Sequence, residues 1–127
     1  MPFQNDLKLT HIELDLKGSS PEQVFKNISW KLSVEAGLST SSVLSELHKS
    51  VDRGDLNIGD GLMICDWLSE GIRSPVVSLF LLEKPVDLGG DDNNFVDMVL
   101  VLISPECESI THLRHLARLT RLFRDES

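Results

Sequence analysis

The side chains of this sequence that could do chemistry gather at two places. Cys65 and Asp66 follow the short apolar run Leu62-Met63-Ile64, at the end of a predicted strand, where side chains of an α/β sheet face a crevice. A thiolate is a nucleophile and a carboxylate can form a labile acyl phosphate. The Asp66 charge opposes ionisation of the neighbouring thiol, and a cysteine at a strand end is equally at home in a core. His112 lies in the first turn of a C-terminal amphipathic segment, where unpaired backbone N–H groups and the positive end of the helix dipole suit a phosphate. His11, on a predicted strand, and His48, on a predicted helix, have no ligand spacing around them and read as packed or surface histidines. Gly59-Asp60-Gly61 lacks the further glycines of a dinucleotide fingerprint and the lysine of a P-loop, and reads as a turn. Arg114, Arg118 and Arg121 share one face of the last helix, with no acid between Ile110 and Arg124. They read as a solvated basic face complementing the helix C-terminus, or as a docking patch for an acidic partner. No cofactor fingerprint and no metal-ligand spacing is assigned.

The elements that must position these groups are marked by periodicity. Leu7, Leu9, His11, Ile12, Leu14 and Leu16 run close to period two, the pattern of a half-buried strand ending at Gly18. Ser20-Pro21-Glu22-Gln23 is a capping box with proline at the first helical position. The apolar stripe Val24, Phe25, Ile28, Leu32, Ala36 predicts the helix that follows, and Gly37 stops it. A second helix is predicted from Ser39 or Thr40 to about Val51, then a loop over 52–61. Three strand-like runs come next: Leu62 to Cys65, Val76 to Leu82 and Phe95 to Ile103, the last two joined by a turn-rich connection over 83–94. Ile110, Leu113, Leu116, Ala117, Thr120 and Phe123 predict a closing helix. Helices flanking a run of strands imply an α/β or α+β layered domain with helices on both sides of a buried sheet.

Composition narrows the functional classes. A chain of 127 residues reads as one domain, 1–127. Its formal charge of −8 argues against a general binder of nucleic acid or anionic membrane, which needs clustered cations. Cys65 and Cys107 form no C-x-x-C pair, so a disulfide scaffold and a zinc ribbon are disfavoured and a reducing, cytoplasmic setting is expected. The longest apolar runs fall far below the ~20 residues of a membrane span, so no direct membrane insertion is expected.

The stretch Ile58-Gly59-Asp60-Gly61-Leu62-Met63-Ile64-Cys65-Asp66 resembles the signature of the enzyme IIA components of the phosphoenolpyruvate:sugar phosphotransferase system, fructose/mannitol type, roughly I-G-x-G-x-A-I-P-H. The likeness continues through Ser74-Pro75, Lys84-Pro85-Val86-Asp87-Leu88, Phe95 to Leu102 and Pro105. It extends into His112-Leu113-Arg114-His115-Leu116-Ala117-Arg118-Leu119, similar to the family's H-L-x-x-L-A-x-L. The resemblance implies a mixed five-stranded sheet flanked by helices on both faces, which takes a phosphoryl group from the histidine carrier HPr and passes it to a IIB domain. In the family the acceptor is the histidine of the Pro-His pair, and the histidine opening the later helix helps to hold the phosphoryl group. Here the matching positions are Cys65-Asp66 and His112, so the resemblance implies that the acceptor histidine is absent, with Asp66 in its place. Asp66, His112 and Cys65 are the catalytic candidates. The family's Arg-Glu pair late in the second helix corresponds to Ser50 and Val51, with Lys49 or Arg53 as substitutes, and the family commonly continues past this C-terminus, so the resemblance implies either a trimmed domain or a shortened relative.

Three functions follow as expectations. The first is a phosphocarrier relaying from HPr-like to IIB-like proteins through Asp66 or Cys65. The second is a regulatory or sensory domain that binds a fused or associated transporter or regulator. The third is an anion-binding module using the crevice between Asp66 and His112.

Overall fold

The computed structural model describes residues 10–53, 61–88 and 95–124. The predicted strand residues before Thr10, most of the loop over 52–61 with Gly59 and Asp60, and the end of the connection at 89–94 lie outside them.

The first strand, β1 (His11–Leu16), leads into α1 (Pro21–Ala36). Ser20 has extended backbone and its hydroxyl accepts from the Gln23 N–H at 3.2 Å, with Pro21 at the start of the helix. The Gln23 side chain reaches back one residue further than a capping box requires: its Oε1 accepts from the Ser19 N–H at 2.9 Å. Gly37, at φ 71°, closes α1 in the left-handed region, its N–H donating to the Ser33 carbonyl. Then come α2 (Thr40–Arg53), β2 (Leu62–Ser69), β3 (Val76–Asp87), β4 (Phe95–Pro105) and α3 (Ser109–Arg124).

The strands form one mixed sheet in the order β1-β3-β4-β2. β1 runs parallel to β3, β2 parallel to β4, and β3 antiparallel to β4. The expectation of five strands is therefore corrected to four strands and three helices among the described residues. The residues supply only four strand-like runs; the fifth strand came from the resemblance, and no segment among the described residues provides it. Two runs are longer than their apolar centres suggest. β2 continues through Asp66 to Ser69 because the alternation persists, with Trp67 buried one step beyond Cys65. β3 continues through Pro85, which is tolerated because the β3–β4 register breaks between Leu81 and Val86 and leaves no ladder bond for proline to remove.

Register sorts the side chains onto two faces. His11, Ser78, Val101 and Cys65 form one row across the sheet, and Val77, Leu102 and Asp66 form a neighbouring row that points the other way. The first face packs on α1 and α2 through Phe25, Ile28, Leu32, Val43, Leu47, Cys65, Phe80, Val99 and Val101. The second packs on α3 through Leu62, Ile64, Val77, Leu100, Leu102 and Leu119. β1 carries a bulge: Asp15 sits at φ 56°, a conformation aspartate tolerates, and the pairing with β3 shifts between Glu13 and Leu16.

Candidate functional site

On the α3 face, three side chains from three elements form one hydrogen-bonded chain. Asp66 projects from β2 and Ser104 from β4, in neighbouring rows that both point to α3. His112 meets them from the first turn of α3, whose start is set by the His112 N–H donating to the Glu108 carbonyl. His112 Nε2 lies 2.7 Å from Asp66 Oδ2, and Nδ1 lies 2.6 Å from Ser104 Oγ. The chain runs from the surface inward: the Asp66 side chain is 17% exposed and that of His112 5%, and Ser104 is 1% exposed.

Chemistry assigns the protons. An ionised Asp66 can only accept, so His112 Nε2 carries the hydrogen and donates it. In the neutral ring Nδ1 then accepts from the Ser104 hydroxyl; in the imidazolium it donates to Ser104 Oγ instead. Either way both ring nitrogens are engaged, and any anion approaching Nε2 must displace the Asp66 carboxylate.

The structure thus brings together two of the three residues singled out from sequence. Cys65 is fully buried on the opposite face, in the α1/α2 core, one pleat from Asp66 and facing away from it. Ser104 was legible only as the residue before the strand-closing Pro105. The available signal was its parity: Leu100, Leu102 and Ser104 alternate onto one buried face, and a hydroxyl there needs a partner. Arg114 and Arg118 are exposed on α3, and among the described residues no cluster of three His, Cys, Asp or Glu could hold a metal.

A second polar centre stands on the other face. His11 Nε2 is 3.3 Å from Glu13 Oε1 and Nδ1 is 3.7 Å from Glu35 Oε2, tying β1 to α1, and the ring lies against Phe80. Lys31 Nζ is 3.1 Å from Glu13 Oε2. The Lys31 hydrogen bond and its charge, with a smaller contribution from His11, hold the Glu13 carboxyl below its ordinary value of 4.5 against the opposing effect of burial. A lowered native value stabilises the fold fully above 4.5 and loses that stability as pH falls through it. Replacing Lys31 with methionine should flatten that acid limb by only a few tenths of a kcal/mol, read by urea denaturation at a series of acidic pH values; an unchanged limb would exclude Lys31 as the cause.

Comparison with known proteins gives these centres a context. Residues 6–127 match the family model described as the phosphoenolpyruvate-dependent sugar phosphotransferase system, EIIA 2. A nitrogen regulatory protein of Bradyrhizobium diazoefficiens is 30% identical over 112 residues, covering 87% of this chain and 72% of that protein. The nitrogen regulatory protein IIA-Ntr of Neisseria meningitidis superposes with a TM-score of 0.80 at 26% identity, over 95% of this chain and 83% of that one. The IIA mannitol domain of Escherichia coli shares the fold at a TM-score of 0.61 and 16% identity, over 84% and 77% of the two chains.

Two expectations are corrected accordingly. The likeness is to the nitrogen-regulatory type and not to the fructose/mannitol type, since sequence and fold both agree better with the former. Nor does it stand that the acceptor histidine is lost and replaced by Asp66: a histidine is retained at His11, partly exposed and held between the Glu13 and Glu35 carboxylates. The sheet separates that ring from the Asp66–His112 pair, with β1 and β2 at opposite edges, roughly 14 Å apart at about 4.8 Å per strand.

Proposed function

The chain belongs to the EIIA 2 family of the phosphoenolpyruvate-dependent sugar phosphotransferase system, and from that premise we propose that it is a regulatory domain that works by binding a protein partner, a transporter or a regulator, at the surface around Asp66 and His112. The names of its nitrogen-regulatory relatives support nitrogen-linked control as the setting. Family membership makes HPr-like and IIB-like proteins the first partners to test. No helix among the described residues is long and apolar enough to cross a membrane.

One observation carries this reading: His112 is already saturated. An imidazole that takes or steadies a phosphoryl group needs an accessible nitrogen, so His112 is closed to either role and an acceptor is to be sought at His11. Here Nε2 is bonded to Asp66, and Nδ1 is sealed against a buried serine. The pair presents a carboxylate at the surface, buttressed from within, which suits recognition by a partner's donors better than onward transfer.

The test has two arms. Titration calorimetry against an HPr-like protein, with wild type and Asp66→Asn, should show binding that changes on the order of tenfold with the loss of one desolvated charge. Intact-mass measurement after incubation with phosphorylated HPr, in wild type, His11→Ala and His112→Ala, locates any phosphoryl group. Rapid onward transfer to a IIB-like domain that is indifferent to Asp66→Asn would replace regulation by relay.

A further inference from the structure

On the side of the sheet away from Asp66 and His112, α1 and α2 form an open, solvent-facing cleft of about 550 Å³ lined by Lys26, Asn27, Ser29, Trp30, Thr40, Ser41 and Leu44. We propose that this cleft binds a small phosphorylated compound carrying a planar ring, of which a nucleoside monophosphate is the type: phosphate at the N-terminus of α2, ring against Trp30.

Four observations converge on it. First, the N-terminus of α2 is open at its first two positions. Ser39 caps the helix, its hydroxyl accepting from the Ser42 N–H at 3.3 Å and its carbonyl from the Val43 N–H at 3.1 Å. The N–H groups of Thr40 and Ser41 are those no intrahelical carbonyl can reach, and no acid occupies the first turn to neutralise the positive end of the dipole. Second, the Ser29 hydroxyl, on a residue only 2% exposed, has no hydrogen-bond partner and lies on the wall of the cleft. A buried polar atom left unpaired is costly, and a ligand oxygen in the cleft would satisfy it. Third, Lys26, an exposed side chain of α1, lines the same cleft as Thr40 and Ser41 of α2, where the Ser41 hydroxyl shares a hydrogen with that of Ser39 at 2.9 Å. Fourth, Trp30 is 59% exposed, with the Lys31 ammonium 5.7 Å from its ring centre. A large aromatic left in water beside an anion site is a stacking platform for a ring.

The pieces divide the labour as phosphate sites do. Backbone N–H groups, hydroxyls and one ammonium take the anion, while the indole takes the apolar ring. The volume falls within the range of small-molecule clefts. Because α1 also anchors His11 through Glu35 and packs on β1 and β3, occupancy of the cleft would bear on the element that supports the retained histidine.

The experiment is a fluorescence and thermal-shift titration of the full chain with AMP, adenosine and inorganic phosphate at up to millimolar concentration. Trp67 is buried, so quenching of a solvent-exposed indole reports Trp30. AMP should quench saturably and raise the melting temperature, with adenosine and phosphate alone each weaker by an order of magnitude or more. Lys26→Ala and Trp30→Ala change exposed side chains and should leave the fold intact while weakening AMP on the order of tenfold each, by loss of a charge-assisted bond and of a base stack. Ser29→Ala deletes the unpartnered hydroxyl, should leave the apo protein as stable as before, and should weaken AMP several-fold. No saturable response to AMP, or a response unchanged in all three variants, would overturn the assignment. Either result is independent of what binds at Asp66.

Discussion

Replacing Phe80 with alanine lowers the free energy of unfolding by about 3–5 kcal/mol, at the upper end of what a single truncation costs. Phe80 is fully buried in the middle of β3, on the face that meets α1 and α2. β3 is hydrogen-bonded on both sides, to β1 and to β4, so the backbone beneath the ring cannot move to fill the cavity. The penalty therefore includes the void as well as the lost transfer of the ring from water. A domain of ordinary stability has about 5–15 kcal/mol in total, so the variant stands near its unfolding threshold at ambient temperature. Urea denaturation should show a lower midpoint at unchanged slope. Phe95→Ala, at an exposed position, is the control and should fall within about 0.5 kcal/mol of wild type. A loss below about 1 kcal/mol at Phe80 would mean that α1 and α2 close onto the sheet when the ring is removed.

The second large effect is expected at His112. Leucine there removes both hydrogen bonds and strands the Ser104 hydroxyl at a position only 1% exposed to solvent. An orphaned buried polar group costs about 1–3 kcal/mol. Asp66 is partly exposed and can turn its carboxylate to solvent, so most of the penalty belongs to Ser104. Ser104→Ala in the His112→Leu background should restore much of the loss, because two apolar groups facing each other leave nothing unsatisfied. The double-mutant cycle should give a coupling of at least about 0.5 kcal/mol for groups in direct contact. Additive losses would mean that the 2.6 Å contact contributes nothing net. The same variants separate structure from function: Ser104→Ala keeps the Asp66–His112 pair, so it should preserve partner binding far better than His112→Leu does.

How much of this was legible in the sequence differs from element to element. α1 was readable in full, since Ser20, Pro21 and Gly37 act through bonds to near neighbours and the stripe from Val24 to Ala36 repeats with the helical period. The strand count was readable from the residues and misled only by the resemblance, which imported a fifth strand. The type within the family was misread for a related reason: short motifs around a site are shared across types, whereas agreement over the whole length of chain and fold distinguishes them. His11 was dismissed because a lone histidine on an alternating strand carries no local sign of its partners. Glu13 is two residues away, but Glu35 arrives from another element and Lys31 with it.

Local spacing determined what is local here: the helix caps, the alternation of the strands, the apolar stripes and the presence of a few nucleophilic or basic side chains. Such features depend on residues three or four apart, and the chain states them directly. The tertiary structure alone decided which of those side chains meet. Asp66 and His112 are 46 residues apart and become hydrogen-bonding partners, while Cys65, adjacent to Asp66, is turned into the opposite core. Strand pleating sends neighbours to opposite faces, and sheet register with helix docking brings distant residues onto one face. A reactive pair is a property of that register, which is set by long-range pairing and burial rather than by any short run of residues.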